Sequence, residues 1–566
     1  MLGEPELLGL LQHGWESASS LAMASEADLC EAGLLPDHAY TLVRAFSGPE
    51  LDPVRLYEKP STLAHEAAWH RYAFLPDPSS ATDKAAFFGF RPWAAPPASI
   101  PPVLVSPVFA HILEAVAAPA EPPTDLGSSA AVGLYQAVRE LLALGSGLYD
   151  GKARLQYEFL RWHNEHLQAG VLAETIASCS YSRATLLDSP PASVVHSVRF
   201  HNHSFAVALL VCKSDVGAGD ALVQAARRYQ QHYQDGACWA SASMYRAGPL
   251  PALVLLLEGP RLSIHAVWTI YQNRVAYAPL TPSYYLANDF HDTANLWKLM
   301  AVLAAYKKAA QELSSAHAAM CKLDASELDR MARLRAAAHA EEGQGGGGGG
   351  GGVAAAQPCT LPYSLLDDSL GLSDISFRGR GLLYAARQRL VEGGQARRVL
   401  VKFVGGRYGA EVHRAWHAAG VAPALYDVRS VGGSAYTMVV MELLRPEDGW
   451  VPLCQALQDG GGEPLKAAVR EALRRAQAGA LETLGHKAVH GDVRRPNILV
   501  RGAGSDAASA EVRFVDFDWA GPDGEARYPQ VVLSPTVRWH DEVRPGGVMR
   551  QEHDTYLLER ELKLPY

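Results

Sequence analysis

Four polar residues in the C-terminal part of the chain have the spacing of a phosphoryl-transfer site. His490 and Asp492 precede Asn497 in the run HGDVRRPN, and Asp516 follows in a run that predicts a strand entering a turn. Phosphoryl transfer needs a carboxylate to orient the attacking hydroxyl and oxygen ligands to hold Mg2+ against the phosphates. Asp492 suits the first task, and Asn497 with Asp516 suits the second. The pattern therefore predicts a site for ATP and Mg2+.

The same residues resemble the catalytic loop and the DFG turn of the protein-kinase fold, with Asp518 where that family has a glycine. The resemblance implies that His490 supports the loop. It also implies that Arg494 replaces the lysine that steadies the γ phosphate, since arginine can bind phosphate with two N–H groups. Asp554, in QEHDTYLLERE, matches the buried aspartate that braces the catalytic loop.

The segment before this motif offers the other parts of a nucleotide site in the expected order. Gly379 and Gly381 stand at a turn in FRGRGLLY, Lys402 lies in the predicted strand RRVLVKFV, and Glu411 lies in the predicted helix GAEVHRAWHAAG. By resemblance, the glycines cover the phosphates, Lys402 neutralises the α and β phosphates, and Glu411 holds Lys402 in place. Lys402 and Glu411 also have an ordinary interpretation: a solvent-facing lysine on a strand, and a glutamate in the first turn of a helix, where the helix dipole favours it.

The run TMVVMELL stands where such folds place the hinge whose backbone binds adenine, so Glu442 and Leu443 are predicted to contact the nucleotide. There are also departures from the family. No APE element follows Asp516, and only twelve residues follow Asp554. The sequence therefore predicts a short kinase-like domain without the helices that dock protein substrates.

Composition limits the wider possibilities. The chain has 566 residues, a net charge of −9 and seven scattered cysteines without a C-x-x-C pair. This length allows several domains, each with its own core. The cysteine pattern favours a reducing compartment, and no apolar run reaches 18 residues. We expect a protein of the cytoplasm or nucleus with no membrane association.

The first 124 residues predict two regions. Residues 1–48 show helical spacing of leucines, and the part from Asp28 to Leu42 is similar to the end of a SAM domain. That similarity implies a protein partner for residues 1–48; a plain helical cap is the alternative. Residues 50–124 are rich in proline and aromatic residues and are expected to form an extended lead-in with few long elements.

Residues 125–316 alternate between strand and helix patterns. The apolar run FAVALLVC ends at Cys212 and is followed by Lys213 and then by a predicted helix. This strand and helix resemble the core of the PD-(D/E)xK nuclease fold. Lys213 matches that family's lysine, but Cys212 and Ala192 stand where its metal-binding carboxylates are expected. A thiol and a methyl group do not supply the oxygen ligands of Mg2+. We therefore expect a degenerate, inactive nuclease-like domain and leave nucleic-acid binding open.

Residues 317–358 are predicted to link this domain to the next. An alternately charged segment predicts an exposed helix, and residues 345–352 are eight consecutive glycines, which form a flexible tether. The kinase-like domain then occupies 360–566.

The whole chain is thus predicted to be multidomain α+β: a small helical N-terminal unit, an α/β restriction-endonuclease-like domain, a glycine-rich linker and a short bilobal protein-kinase-like domain. This order resembles the nuclease-plus-kinase architecture of Crinkler-type proteins. The predicted function is ATP- and Mg2+-dependent phosphorylation of serine or threonine in a protein substrate. Two alternatives stay open: a non-catalytic effector or conflict protein that binds nucleotide or nucleic acid, and a small-molecule kinase similar to aminoglycoside and choline kinases.

Overall fold

The computed structural model describes residues 100–125, 127–149, 152–168, 193–200, 203–213, 221–234, 247–269, 275–286, 292–340, 361–378, 382–389, 396–432, 434–460, 462–502, 510–530, 533–534 and 536–564. Within these ranges the chain is mixed α+β and forms two compact units, one before residue 337 and one after residue 360. The predicted partner-binding segment 1–48 and the glycine tether 345–352 lie outside the described residues.

The first unit contains a mixed sheet of six strands. The strands are β1 Ser193–Phe200, β2 His203–Lys213, β3 Ala252–Glu258, β4 Arg261–Thr269, β5 Val275–Pro279 and β6 Tyr284–Tyr285. Their order is β1-β2-β3-β4-β5, with β6 paired to β4, and only β2 and β3 run parallel. The first six residues of β3, ALVLLL, are all buried, as expected for a central strand covered on both faces.

Seven helices accompany this sheet in the described residues. They are α1 Pro102–Val105, α2 Ala110–Ala117, α3 Ser129–Ser146, α4 Lys152–His163, α5 Ala221–Gln234, α6 Thr293–Met320 and α7 Ala325–Ala340. Side-chain oxygens of Ser128 and Asp292 accept backbone N–H groups at the starts of α3 and α6. One face of α6 is buried over almost its whole length, so this helix is the main support of the unit.

The end of the predicted extended lead-in 50–124 is helical instead. Residues 102–117 form α1, a 3-10 turn and α2, and Phe109 is fully buried. Pro102 and Pro107 begin two of these turns, a position where proline costs no hydrogen bond. The prediction was wrong there because the prolines start helical turns and do not extend the chain.

The charged helix predicted for the linker 317–358 also differs from expectation. It is present as α7, but Leu334 and Arg335 are buried within the first unit. The Arg335 guanidinium donates to the carbonyl oxygens of Gly248 at 2.7 Å and Thr269 at 3.3 Å. These bonds satisfy two backbone acceptors and dock the helix, so α7 belongs to the folded unit and is not an exposed linker.

The second unit begins with a five-stranded antiparallel sheet. Its strands are β7 Leu372–Phe377, β8 Leu383–Gln388, β9 Arg397–Gly405, β10 Leu425–Ser430 and β11 Tyr436–Glu442, in the order β10-β11-β9-β8-β7. Helix α8, Ala410–Ala418, connects β9 to β10. Strand β9 is therefore central, and the helix after it lies against the rest of the unit.

The remainder of the second unit is mainly helical with short strand pairs. Its elements are β12 Val451–Pro452, α9 Leu453–Gln458, α10 Gly462–Leu484, β13 Ala488–Val489, β14 Ile498–Arg501, β15 Glu511–Phe514, β16 Gly521–Pro522 and α11 Gln551–Lys563. One apolar core joins both parts and includes Trp416 of α8, Leu473 of α10, Phe514 and Leu558. No helix in the described ranges is both long and apolar enough to cross a bilayer.

Candidate functional site

The loop that follows β13 is held by a buried carboxylate on α11. Asp554, 1% exposed, accepts the backbone N–H of His490 at 2.7 Å and that of Gly491 at 2.8 Å. Burial raises the pKa of Asp554 to about 7. Gly491 has φ +85°, and a Cβ there would lie 2.2 Å from the Cε of Met549. Helix α11 therefore determines the path of the loop, and the positive φ at position 491 favours glycine next to His490.

The loop is also joined to the strand that precedes Asp516. The His490 ring contacts the carbonyl oxygen of Val515 through Nε2 at 3.1 Å, and the Val515 N–H donates to the carbonyl oxygen of Asn497 at 2.9 Å. Burial lowers the pKa of His490, so the ring is a neutral donor to that carbonyl. The two segments that the sequence singled out are thus parts of one site.

Asp492 lies inside this loop with its carboxylate bonded on both oxygens. Arg494 donates through Nε at 2.5 Å and Nη2 at 2.7 Å, and Asn497 donates through Nδ2 at 2.8 Å. The hydrogen bond to Asp492 raises the pKa of Arg494. Arg494, predicted to bind a γ phosphate, is paired here with Asp492. The Asn497 Nδ2 donates to Asp492, and no hydrogen-bond donor in the part of the chain described reaches the Asn497 Oδ1.

Lys402 of β9 meets two carboxylates. Its Nζ donates to Asp516 Oδ1 and, at 2.6 Å, to Asp518 Oδ1. Burial alone would raise the pKa of Asp516, but the charge of Lys402 outweighs it and lowers that pKa. Burial and the neighbouring Asp516 charge raise the pKa of Asp518 to about 6. Asp516 itself has φ +74°, an unfavourable conformation for a residue with a side chain. Asp518 was not predicted as a site residue.

Glu411 does not hold Lys402 in this structure, contrary to the sequence-based expectation. It is exposed in the first turn of α8, and the described ion pairs of Lys402 are those with Asp516 and Asp518. The helical period explains the difference. Val412, His413, Ala415 and Trp416 form the buried face of α8, which turns Glu411 towards solvent.

An aromatic stack behind Asp516 contains residues that sequence reasoning missed. The Phe517 ring stacks on His413 with centroids 4.4 Å apart and planes 4° apart. Burial lowers the pKa of His413 to about 3, so this ring is neutral. Its Nε2 then donates to the carbonyl oxygen of Pro423 at 2.9 Å, and its Nδ1 accepts the Tyr408 hydroxyl at 2.7 Å. The available signal was a histidine on the apolar face of a predicted helix.

The predicted hinge residues lie where the sheet ends. Glu442 is the last residue of β11, and its carboxylate accepts the backbone N–H of Ala424 at 3.1 Å. Leu443 follows and is half-buried. Gly379 and Gly381, predicted to cover the phosphates, lie outside the described residues, between the paired strands β7 and β8.

The predicted degenerate nuclease residues lie in the first unit. Cys212 and Lys213 end strand β2 and are both buried. In the parallel register Lys213 lies opposite Glu258, and the Cys212 carbonyl oxygen accepts the Gln156 side-chain amide at 3.2 Å. Ala192 lies outside the described residues. The nuclease-like and Crinkler-type interpretations stay predictions.

Comparison with known proteins gave structural neighbours only. No protein-family model and no curated protein sequence matches the chain. The Cydia pomonella granulovirus kinase PK-1 is 16% identical, with 32% of this chain and 65% of that chain covered and a TM-score of 0.25. WaaP, solved in complex with acyl carrier protein, is 21% identical, with 26% and 61% covered and a TM-score of 0.20. The chain thus spans less than two thirds of either structure.

Proposed function

We propose that residues 361–566 transfer the γ-phosphoryl group of Mg-ATP to a serine or threonine hydroxyl of a protein. The observation that carries this proposal is the junction of two loops. A buried Asp492, held by Arg494 and Asn497, lies in a loop bonded through Val515 to the segment that brings Asp516 to Lys402. Phosphoryl transfer depends on positioning and charge more than on covalent chemistry, and this arrangement supplies both.

In the proposed step, the hydroxyl oxygen forms a bond to the γ phosphorus. The bond from that phosphorus to the β–γ bridging oxygen breaks, and its electron pair leaves with ADP. Asp492 accepts the hydroxyl proton. Arg494 can exchange its bond with Asp492 for the transferring phosphoryl oxygens, since both partners offer it a planar pair of acceptors. Lys402 would pair with the other phosphates.

The residues present fit a magnesium ion. Asn497 Oδ1 and the carboxylates of Asp516 and Asp518 are hard oxygen donors, the type that Mg2+ prefers. When bound, Mg2+ would neutralise phosphate charge. The chain's own contribution is to hold these oxygens still: Asn497 through its Nδ2 bond to Asp492, and both carboxylates through Lys402.

The test is phosphate transfer from isotopically labelled Mg-ATP by the full chain, read by mass spectrometry of the chain and of an added protein mixture. We expect labelled serine or threonine with wild type. Asp492→Ala and Asp516→Ala should each lose about 100-fold or more of the rate, the range of a positioned proton acceptor or charge stabiliser. Asp459→Ala, an exposed aspartate of the same unit, is the matched control and should retain the rate.

Three results would count against the proposal. A wild-type chain that binds Mg-ATP but labels nothing would show a nucleotide-binding protein. Transfer to choline or an aminoglycoside, with no protein labelled, would show a small-molecule kinase. A loss of activity in Asp459→Ala equal to that in the two site variants would show that the losses do not report on the site.

A further inference from the structure

Two histidines and one glutamate that have no part in the proposed phosphotransfer step meet on the second unit. His540, Glu542 and His553 each offer a ligand atom, and these atoms all lie within 4.8 Å of one another. The carboxylate of Glu542 is 3.6 Å from Nε2 of His553. Two ligands about 2.1 Å from a tetrahedral Zn2+ are about 3.4 Å apart, so small side-chain rotations would complete the geometry.

The buried histidine of this group has an unsatisfied nitrogen. His553 is 3% exposed, and its Nε2 has no hydrogen-bond partner among the described residues. At 3.6 Å the Glu542 oxygen is too distant for a hydrogen bond. Buried polar atoms are normally satisfied, and one that is not requires a reason. A metal ion between Nε2 and the carboxylate would satisfy both.

The surroundings can adjust to such an ion. Nδ1 of His553 lies 3.2 Å from the Tyr528 hydroxyl and 3.3 Å from the Arg550 backbone nitrogen. Binding through Nε2 moves the ring proton to Nδ1, where the Tyr528 oxygen can accept it. The long contact with the Arg550 N–H is then given up. Metal-binding histidines commonly donate the N–H of their second ring nitrogen in this way, and that hydrogen bond orients the ring.

We propose that His540, Glu542 and His553 bind one Zn2+ ion, with water as the fourth ligand. Two imidazoles and one carboxylate suit a borderline cation such as Zn2+ better than Mg2+ or Ca2+, which prefer oxygen ligands alone. The His540 and His553 rings are already stacked, with centroids 4.9 Å apart and planes 28° apart.

The ion would join two parts of the second unit. His540 and Glu542 lie in the segment between β16 and α11, whereas His553 lies on α11 directly before Asp554. Asp554 holds the backbone of His490 and Gly491. The ion would therefore fix the segment to the helix that supports the catalytic loop, so its role is structural.

A second His–carboxylate group provides the internal comparison. Glu140, Glu165 and His166 of the first unit also lie within range of one another, but they are more exposed. Nε2 of His166 is already bonded to Glu140 at 2.8 Å. This group lacks the unsatisfied buried nitrogen, so His166 is a suitable position for the control variant.

The experiment uses the full chain, freed of metal with a chelator and then titrated with Zn2+ against a chromophoric competitor. Co2+ serves as a spectroscopic substitute whose visible absorption reports nitrogen and oxygen ligands. We expect wild type to bind one equivalent of Zn2+, with a higher melting temperature in its presence. His540→Ala and Glu542→Gln should each weaken Zn2+ binding about 100-fold or more. Changing a residue that only supports a metal ligand already weakens metal binding by up to about 100-fold, and these two residues are proposed as ligands themselves. His166→Ala should bind as wild type does.

Both site variants change residues that are not buried, so they should fold, and circular dichroism of the metal-free chains checks this. Wild-type binding that persists unchanged in both variants would overturn the assignment. So would a chain that binds no Zn2+ at micromolar concentration, or a loss confined to His166→Ala. None of these measurements depends on phosphotransfer activity, so the proposed function can fail independently.

Discussion

Asp554→Asn tests whether a single buried carboxylate positions the loop that carries Asp492. The wild-type carboxylate accepts two backbone N–H groups, from His490 at 2.7 Å and Gly491 at 2.8 Å. An asparagine of the same shape keeps one acceptor oxygen and turns an NH2 group towards the other N–H. One buried donor is then unsatisfied, which costs about 1–3 kcal/mol. Taking about 2 kcal/mol, the melting temperature of a unit of this size should fall by about 4–8 °C.

The assay is thermal unfolding of the full chain near pH 6, followed by circular dichroism, together with the phosphate-transfer rate at a temperature where all variants are folded. Glu552→Gln, an exposed change of the same type on the same helix, is the control. If the proposed function holds, the rate should fall more than tenfold in Asp554→Asn, because misplacing a catalytic group by about 1 Å can cost about 100-fold. An Asp554→Asn chain that melts and reacts like Glu552→Gln would refute the role of Asp554 as a brace.

Two further changes test the packing, and the pH dependence of Asp554→Asn gives a third prediction. In Gly409→Ala the new Cβ would lie 2.5 Å from a backbone carbonyl oxygen. We expect the free energy of unfolding in urea to fall by about 2–3 kcal/mol. The control Gly405→Ala has its nearest contact at 3.8 Å and should cost less than about 1 kcal/mol. Arg335→Met removes the donor to two buried carbonyls and should lower the free energy of unfolding by about 2 kcal/mol. The exposed change Arg333→Met should lower it by almost nothing. Equal losses in the two variants would show that α7 is not docked. The pKa of Asp554, about 7 when folded, exceeds its unfolded value of about 4, so its contribution to stability is complete below pH 4 and is lost as pH rises to 7. Asp554→Asn should therefore cost more at pH 5 than at pH 8, and a cost that does not change with pH would contradict this.

Sequence pattern was most informative where chemistry requires fixed residue types in a fixed order. The spacing from His490 to Asn497 and the position of Asp554 identified two segments that the structure joins by short hydrogen bonds. The central strand with Lys402 was also predictable, because an apolar run with one lysine is typical of a buried strand that presents one polar side chain.

The partner of Lys402 was not predictable from the same pattern. Glu411 has the right type and order, but helical rotation faces it to solvent, and rotation depends on which face of α8 meets the core. Asp518 is only two residues from Asp516, yet the turn in which both reach Lys402 includes a positive φ at Asp516, which no propensity indicates. Likewise Pro102 and Pro107 are compatible with both extended chain and a helix start, and tertiary packing decides between them.

Asp518 gives the cluster around Lys402 one negative charge more than a glycine would, and this leads to a prediction about nucleotide binding that rests on the proposed function. At pH 7.5 the Asp518 carboxylate, with a pKa of about 6, is charged and opposes an approaching triphosphate. One charge about 7 Å from a phosphate costs about 2 kcal/mol at an effective dielectric constant of 20, and screening by salt reduces this to about 1 kcal/mol. Asp518→Asn should therefore bind magnesium-free ATP about fivefold more tightly at pH 7.5. As the pH falls through 6, wild-type Asp518 is protonated and the difference in affinity should disappear.

Calorimetric titration of both chains with ATP at pH 7.5 and 5.5 measures the ratio of their dissociation constants. The protonation of ATP itself is the same for both chains, so it does not change this ratio. A ratio near one at both values of pH would mean that Asp518 does not face the phosphates, and that its bond to Lys402 serves the fold alone.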